Sequence, residues 1–100
     1  MTLIDKHTNE LQKLCAEYKV RKLYAFGSVL RSDFNSASDI DFVVDFEPQD
    51  INLYADNYFN LKFALENTFK CPIDLLEEKA IKNPYFRKAL DSQRQLIYEH

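Results

Sequence analysis

The sequence predicts an α/β (α+β) fold, a small mixed β-sheet with helices packed on it, and three observations carry that prediction. Segments with apolar residues at helical spacing alternate along the chain with short segments of strand character. One strand segment, "SDIDFVVDF", alternates apolar with mostly acidic residues, so only one of its faces suits a core. The 100 residues, 46% hydrophobic and 14% aromatic, suffice for a single core, and residues 1–100 read as one domain.

The elements follow in order. Ile4, Leu11, Leu14, Cys15 and Tyr18 fall at near-helical spacing with polar residues between them, which predicts an opening amphipathic helix of about four turns. "KLYAF", Lys22 to Phe26, reads as a strand ending at Gly27, the single glycine, and a short helix is expected from Ser28. In the alternating strand Ile40, Phe42, Val44 and Phe46 share one face, while Asp39, Asp41, Val43 and Asp45 share the other. Leu53, Tyr54, Tyr58, Leu61, Phe63, Leu65 and Phe69 predict a second amphipathic helix over 53–69. "CPIDLLEE" gives a further strand, with Pro72 at its start, where a missing N–H is tolerated. Asn83 caps a helix whose first position is Pro84, the placement in which proline costs least. "RQLIYE" closes the chain as a last strand, with a continued helix as the alternative.

Charge and composition narrow the partners. With 13 basic and 16 acidic residues and a net charge of −3, no overall positive field exists to hold a polyanion, so direct nucleic-acid binding is not expected. No apolar run approaches the roughly 20 residues of a membrane span, and no signal-peptide pattern opens the chain, so no membrane association is expected and the cytoplasm is the expected location. Cys15 and Cys71 lack metal-ligand spacing and read as buried free thiols of a reducing compartment.

The chemistry concentrates between residues 24 and 46. Gly27 follows a strand, where it can take a backbone conformation closed to other residues and let a ligand approach the main chain. Ser28 would then open a helix whose free N–H groups suit phosphate oxygens, although a Gly-Ser pair is more often only a turn. Asp39 and Asp41, two apart on a strand, set two carboxylates side by side, where their repulsion favours a hard divalent cation; the alternative is the solvated side of an antiparallel strand, with Asp45 as one more exposed acid. Asp74 lies between Ile73 and Leu75 in an apolar strand, where a charge is out of place unless a facing strand shares an ion with it. Three carboxylates from two neighbouring strands beside a glycine-serine turn have the parts for metal-assisted phosphoryl or nucleotidyl transfer.

Other candidates read as structural. His7 and His100 have no partners at ligand spacing, and Glu77, Glu78, Lys79 and Lys82 read as a solvated edge of mixed charge. Tyr54, Tyr58, Phe59, Phe63 and Phe69 are not interleaved with Lys and Arg, so they read as core and partner surface rather than a base-stacking platform.

The run "GSVLRSDFNSASDIDFVV" resembles the signature of the DNA polymerase beta nucleotidyltransferase superfamily, Gly-Ser followed after ten residues by Asp-x-Asp, and "PIDLL" resembles the strand bearing its third acid. Length and the ending "NPYFRKAL…QLIYE" are similar to those of the minimal nucleotidyltransferases of prokaryotes. The resemblance implies a polymerase-beta-like fold in which Gly27 and Ser28 contact the triphosphate of ATP and Arg31 touches phosphate. It further implies that Asp39 and Asp41 bind two Mg²⁺ ions and that Asp74 completes the metal site and activates the acceptor. Ser32 departs from the pattern, since a glycine often follows that arginine, so the loop from Ser32 to Ser38 is expected to have its own shape.

Minimal nucleotidyltransferases are often antitoxins paired with a helical toxin ribonuclease of the HEPN (higher eukaryotes and prokaryotes nucleotide-binding) class. The resemblance therefore implies a Mg²⁺-dependent protein adenylyltransferase that moves AMP from ATP to a tyrosine hydroxyl of such a toxin, as the antitoxin of a type VII pair and in a hetero-oligomer with it. Two alternatives stand beside this: a non-catalytic antitoxin that masks its partner, and a transferase acting on a small-molecule hydroxyl.

Overall fold

The computed structural model describes residues 3–26 and 39–100. The expected opening helix is divided into α1 (Leu3–Lys6) and α2 (Thr8–Glu17), with His7 at φ −118°, ψ 20° between them. The hydroxyl of Thr8 donates to the carbonyls of Ile4 at 3.4 Å and Asp5 at 3.2 Å, local bonds that compete with a continuous helical ladder. Leu11 and Cys15 are nevertheless both buried, as the helical spacing requires.

Lys19, at φ 60°, turns the chain into β1 (Val20–Phe26), which begins two residues earlier than the apolar run suggests. β2 (Ile40–Phe46) is the alternating strand. The α3 helix (Ile51–Phe69) starts where the Asp50 carboxylate accepts the Asn52 N–H at 2.9 Å, and ends at Lys70 in the left-handed region at φ 58°. β3 (Ile73–Glu77) follows Pro72, whose carbonyl accepts the Ile40 N–H at 3.1 Å. A single 3₁₀ turn, Glu78–Ala80, leads to α4 (Pro84–Gln93), capped by Asn83, whose side chain accepts the N–H groups of Tyr85 at 2.9 Å and Phe86 at 3.2 Å. The chain then becomes extended at Arg94 and closes as β4 (Gln95–Glu99), a strand and not a continued helix. The short helix expected from Ser28 lies outside the described residues.

Among the described residues the four strands make one mixed sheet in the order β3–β2–β1–β4. β1 is antiparallel to β2 and to β4, while β2 and β3 are parallel and joined through α3, as a parallel pair must be by a crossover. Helices α2 and α3 cover one face and bury the apolar residues of β2, with the Phe42 and Phe69 rings 5.9 Å apart and Phe46 edge-on to Tyr54 at 5.0 Å. Both cysteines are buried free thiols, and burial pushes the Cys15 thiol up to about 12, which keeps it protonated and inert.

The other face carries Asp41, Val43 and Asp45. Val43 is fully buried yet outside the main core, as is Leu90 of α4, and the Arg94 guanidinium lies 4.0 Å over the Tyr24 ring on that side of β1. Arg94, just after α4, thus lies on the face that alternation assigns to the acids, and the 3₁₀ turn Glu78–Ala80 packs against β2. No described helix is long and apolar enough to cross a membrane.

Candidate active site

The site lies at the start of β2 and β3. In the parallel pair Asp41 is the register partner of Asp74, and on the other side of β2 it is the partner of Phe26, the last residue of β1. Asp39, immediately before β2, adds its charge from one pleat away. The described residues on either side of 27–38 are Phe26, which faces Asp41, and Asp39. Gly27, Ser28 and Arg31 fall within 27–38 and lie outside the described residues.

The electrostatics separate these acids from their neighbours. Partial burial of Asp41 raises its pKa above the usual carboxylate range, and the nearby Asp74 and Asp39 raise it further. Among the described residues none of the three is paired to a cation. Asp45, further along the same face, behaves differently: it is only 11% exposed and accepts from Arg21 Nη2 at 2.7 Å and Nε at 3.0 Å. A bulge between Val20 and Lys22 sets two β1 residues against the single Asp45, and so brings Arg21 to it. The alternative reading, in which Asp45 is one more exposed acid, is thereby corrected for that residue.

Among the described residues no three His, Cys, Asp or Glu side chains converge as a ligand set, so Asp39, Asp41 and Asp74 share a face without closing on one point. Their donor chemistry, hard oxygens from adjacent strands with the charges of Asp74 and Asp39 raising the pKa of Asp41, fits a divalent cation of the Mg²⁺ type. Asp74 and Asp39 are exposed, and β3 is an edge strand, so an acceptor group can reach Asp74 from the open side.

Of the four residues expected to form a solvated edge, Lys79 and Lys82 are exposed, while Glu77 and Glu78 are engaged. Glu77 accepts the Tyr54 hydroxyl at 2.7 Å, and Glu78, 16% exposed, pairs with Arg87 and with Arg94 Nη1 at 2.6 Å. Tyr58 donates to the Leu75 carbonyl at 2.6 Å. Tyr54 and Tyr58 thus fix β3 from the α3 side, while Phe59 and Phe63 stack on each other with ring centroids 6.5 Å apart and remain more than half exposed. His7 is engaged by Glu10 at 2.6 Å and packs edge-on to Phe69, a structural role.

In the sequence Lys79 and Lys82 read as an edge and Asn83–Pro84 as a cap, without being joined as residues 79–88, "KAIKNPYFRK", ten residues with four cations and no acid. Tyr85 and Phe86 stand exposed there, 85% and 44%. That interleaving of basic and aromatic residues was the available signal.

Comparison with known proteins agrees with this geometry. A family model described as "Polymerase beta, Nucleotidyltransferase" matches residues 9–100. A Methanocaldococcus jannaschii protein provisionally named a protein adenylyltransferase is 32% identical over 96 residues, covering 96% of this chain and 90% of the relative. A solved structure provisionally described as a minimal nucleotidyltransferase superposes with a TM-score of 0.74 at 27% identity, covering 95% of each chain. The fold is also shared, at a TM-score of 0.67 and 19% identity over 98% of this chain and 74% of the other, with a structure of a tri-AMPylated Shewanella oneidensis HEPN toxin in complex with an MNT antitoxin. With the Gly-Ser and Asp-x-Asp motifs in its sequence and Asp41 set opposite Asp74 in its sheet, the chain belongs to the polymerase beta nucleotidyltransferase family.

Proposed function

We propose that this nucleotidyltransferase, as a single domain, moves AMP from ATP to a hydroxyl of a partner protein, a tyrosine of a HEPN toxin, and serves as the antitoxin of a type VII pair. The observation that carries the reading is the register pairing of Asp41 with Asp74 beside Asp39, three carboxylates without a protein cation among the described residues. The relatives' names and the AMPylated toxin in a structure of the same fold support the protein acceptor.

In this reading Asp39 and Asp41 hold two Mg²⁺ ions with Asp74 completing the set, and the ions supply charge neutralisation for the triphosphate. Gly27, Ser28 and Arg31, which lie between Phe26 and Asp39 in the chain, hold the phosphates. Asp74, on the edge strand, accepts the proton of the attacking tyrosine hydroxyl. The tyrosine oxygen bonds to the α-phosphorus, the bond to pyrophosphate breaks, and AMP-tyrosine and pyrophosphate result. The clustered negative charge is a cost that bound cations relieve, so the site is built to be completed by its substrate complex.

The test is transfer of label from α-phosphate-labelled ATP to the purified partner, with Mg²⁺ and with a chelator. Labelling that needs the metal and is lost in Asp41→Asn and Asp74→Asn supports the reading. Labelling of free alcohols as fast as of the protein contradicts the protein acceptor, because a small domain gains most of its rate from positioning a docked hydroxyl.

A further inference from the structure

Beyond the acids, the end of β3 is flanked by two apolar hollows that the proposed transfer does not use. One, of about 360 Å³, lies among Leu76, Ile81 and Phe86, with Lys82 at its side. The other, of about 320 Å³, lies between Ile51 and Tyr54, with Lys79 at its side. They meet at Glu77, whose carboxylate is already engaged by the Tyr54 hydroxyl. Leu76 follows Asp74 by two residues on the same strand face, so the first hollow begins one pleat from the proposed proton acceptor.

The surface is fixed in place. Glu78 is clamped by Arg87 and Arg94, and Asn83 caps the α4 turn that presents Tyr85 and Phe86. Its apolar groups remain open, with Ile51 81% and Phe86 44% exposed. Lys79 and Lys82 are exposed and make no ion pair among the described residues, in a chain whose acids outnumber its bases.

We propose that these two hollows dock the acceptor protein through an acidic segment that sinks an apolar or aromatic side chain beside Leu76 and pairs its carboxylates with Lys79 and Lys82. Charge complementarity selects the acidic partner, and the hollows select a protein over single-stranded RNA, because bases stack on open aromatic faces along a continuous basic track. Four cations gather in residues 79–88, but a net charge of −3 supplies no overall positive field for a polyanion. The inference rests on the reading of a protein acceptor and names the surface that receives it.

The test titrates the ¹⁵N-labelled chain with a synthetic acidic twelve-residue peptide carrying one central Leu-Tyr pair, with a twelve-nucleotide oligouridylate, and with MgATP. The peptide is expected to shift the amide signals of Leu76, Ile81 and Phe86 saturably and more weakly at high salt. Lys79→Glu combined with Lys82→Glu, both at exposed positions, is expected to weaken the peptide about tenfold and leave MgATP binding unchanged. No saturable peptide binding, tighter binding of the oligouridylate at the same signals, or equal loss of MgATP binding in the double variant each overturns the proposal. Asp41→Asn separates this from the catalytic reading: it is expected to bind the peptide as the wild type does while transferring nothing. Peptide binding without any transfer by the wild type faults the catalytic reading alone; transfer to the partner protein at unchanged KM by the double variant faults the docking surface alone.

Discussion

Asp41 and Asp74 are direct partners across the parallel β2–β3 pair, two carboxylates on one face of adjacent strands with no described cation between them. The crowded charge is a liability in the metal-free protein, and the pH dependence of stability reads that out.

Burial first, then Asp74 and Asp39, raise the pKa of Asp41 above its unfolded value. The folded chain therefore binds more protons than the unfolded chain between those two values, and this group's contribution to stability falls as pH rises through that window. Asp41→Asn is expected to melt higher than the wild type at neutral pH without metal. The gap should close as pH falls below the ordinary Asp value, and shrink or reverse when Mg²⁺ and ATP stabilise the wild type. Thermal melts across pH 3 to 7 check all three, and a variant less stable at neutral pH contradicts the crowding of charge.

Asp45 gives the opposite sign from the same face. Its carboxylate is 11% exposed and holds Arg21 through two guanidinium nitrogens, so Asp45→Asn is expected to destabilise the chain and leave transfer intact. Melting temperature and labelling rate together distinguish a structural acid from the site acids.

Lys70 ends α3 at φ 58°, in a conformation that costs a residue with a Cβ about 1 kcal/mol relative to glycine. Lys70→Gly is expected to raise the melting temperature by roughly 5 °C without changing transfer. An unchanged or lower melting temperature would show that the exposed contact of Lys70 Nζ with Asn67, at 3.3 Å, outweighs the backbone gain.

For the segment outside the described residues the expectation is an ordering. Ser28→Ala should weaken ATP use by the equivalent of one hydrogen bond, about 1 kcal/mol, Arg31→Ala by more because a charged contact goes with it, and Gly27→Val most of all. Steady-state kinetics in ATP check the order; an inert Ser28→Ala with a merely unfolded Gly27→Val would make the turn structural.

The alternation of residues 39–46, the Asn83–Pro84 cap and the helical spacing of 53–69 were legible because each is a local signal that the backbone obeys directly. The burial of Val43 was not, because alternation names two faces but not what later segments bring to one of them. Nor was the Arg21–Asp45 pair, which exists because of a bulge, or the Glu78 clamp, whose arginines arrive from nine and sixteen residues away. The break at His7 escaped because apolar spacing continues across it while Thr8 bonds locally. Of the site, Asp39, Asp41 and Asp74 were recognisable as residue types, and the register that joins Asp41 to Asp74 came only with the fold.

The most direct measurement is the intact mass of a HEPN partner after incubation with this chain, ATP and Mg²⁺, read beside its RNA cleavage. The account predicts a gain of one or more AMP units on a tyrosine with loss of cleavage, and neither effect with Asp41→Asn. Loss of cleavage at equal stoichiometry with Asp41→Asn and no mass change would contradict it, and would make the chain a masking module that keeps a nucleotidyltransferase fold.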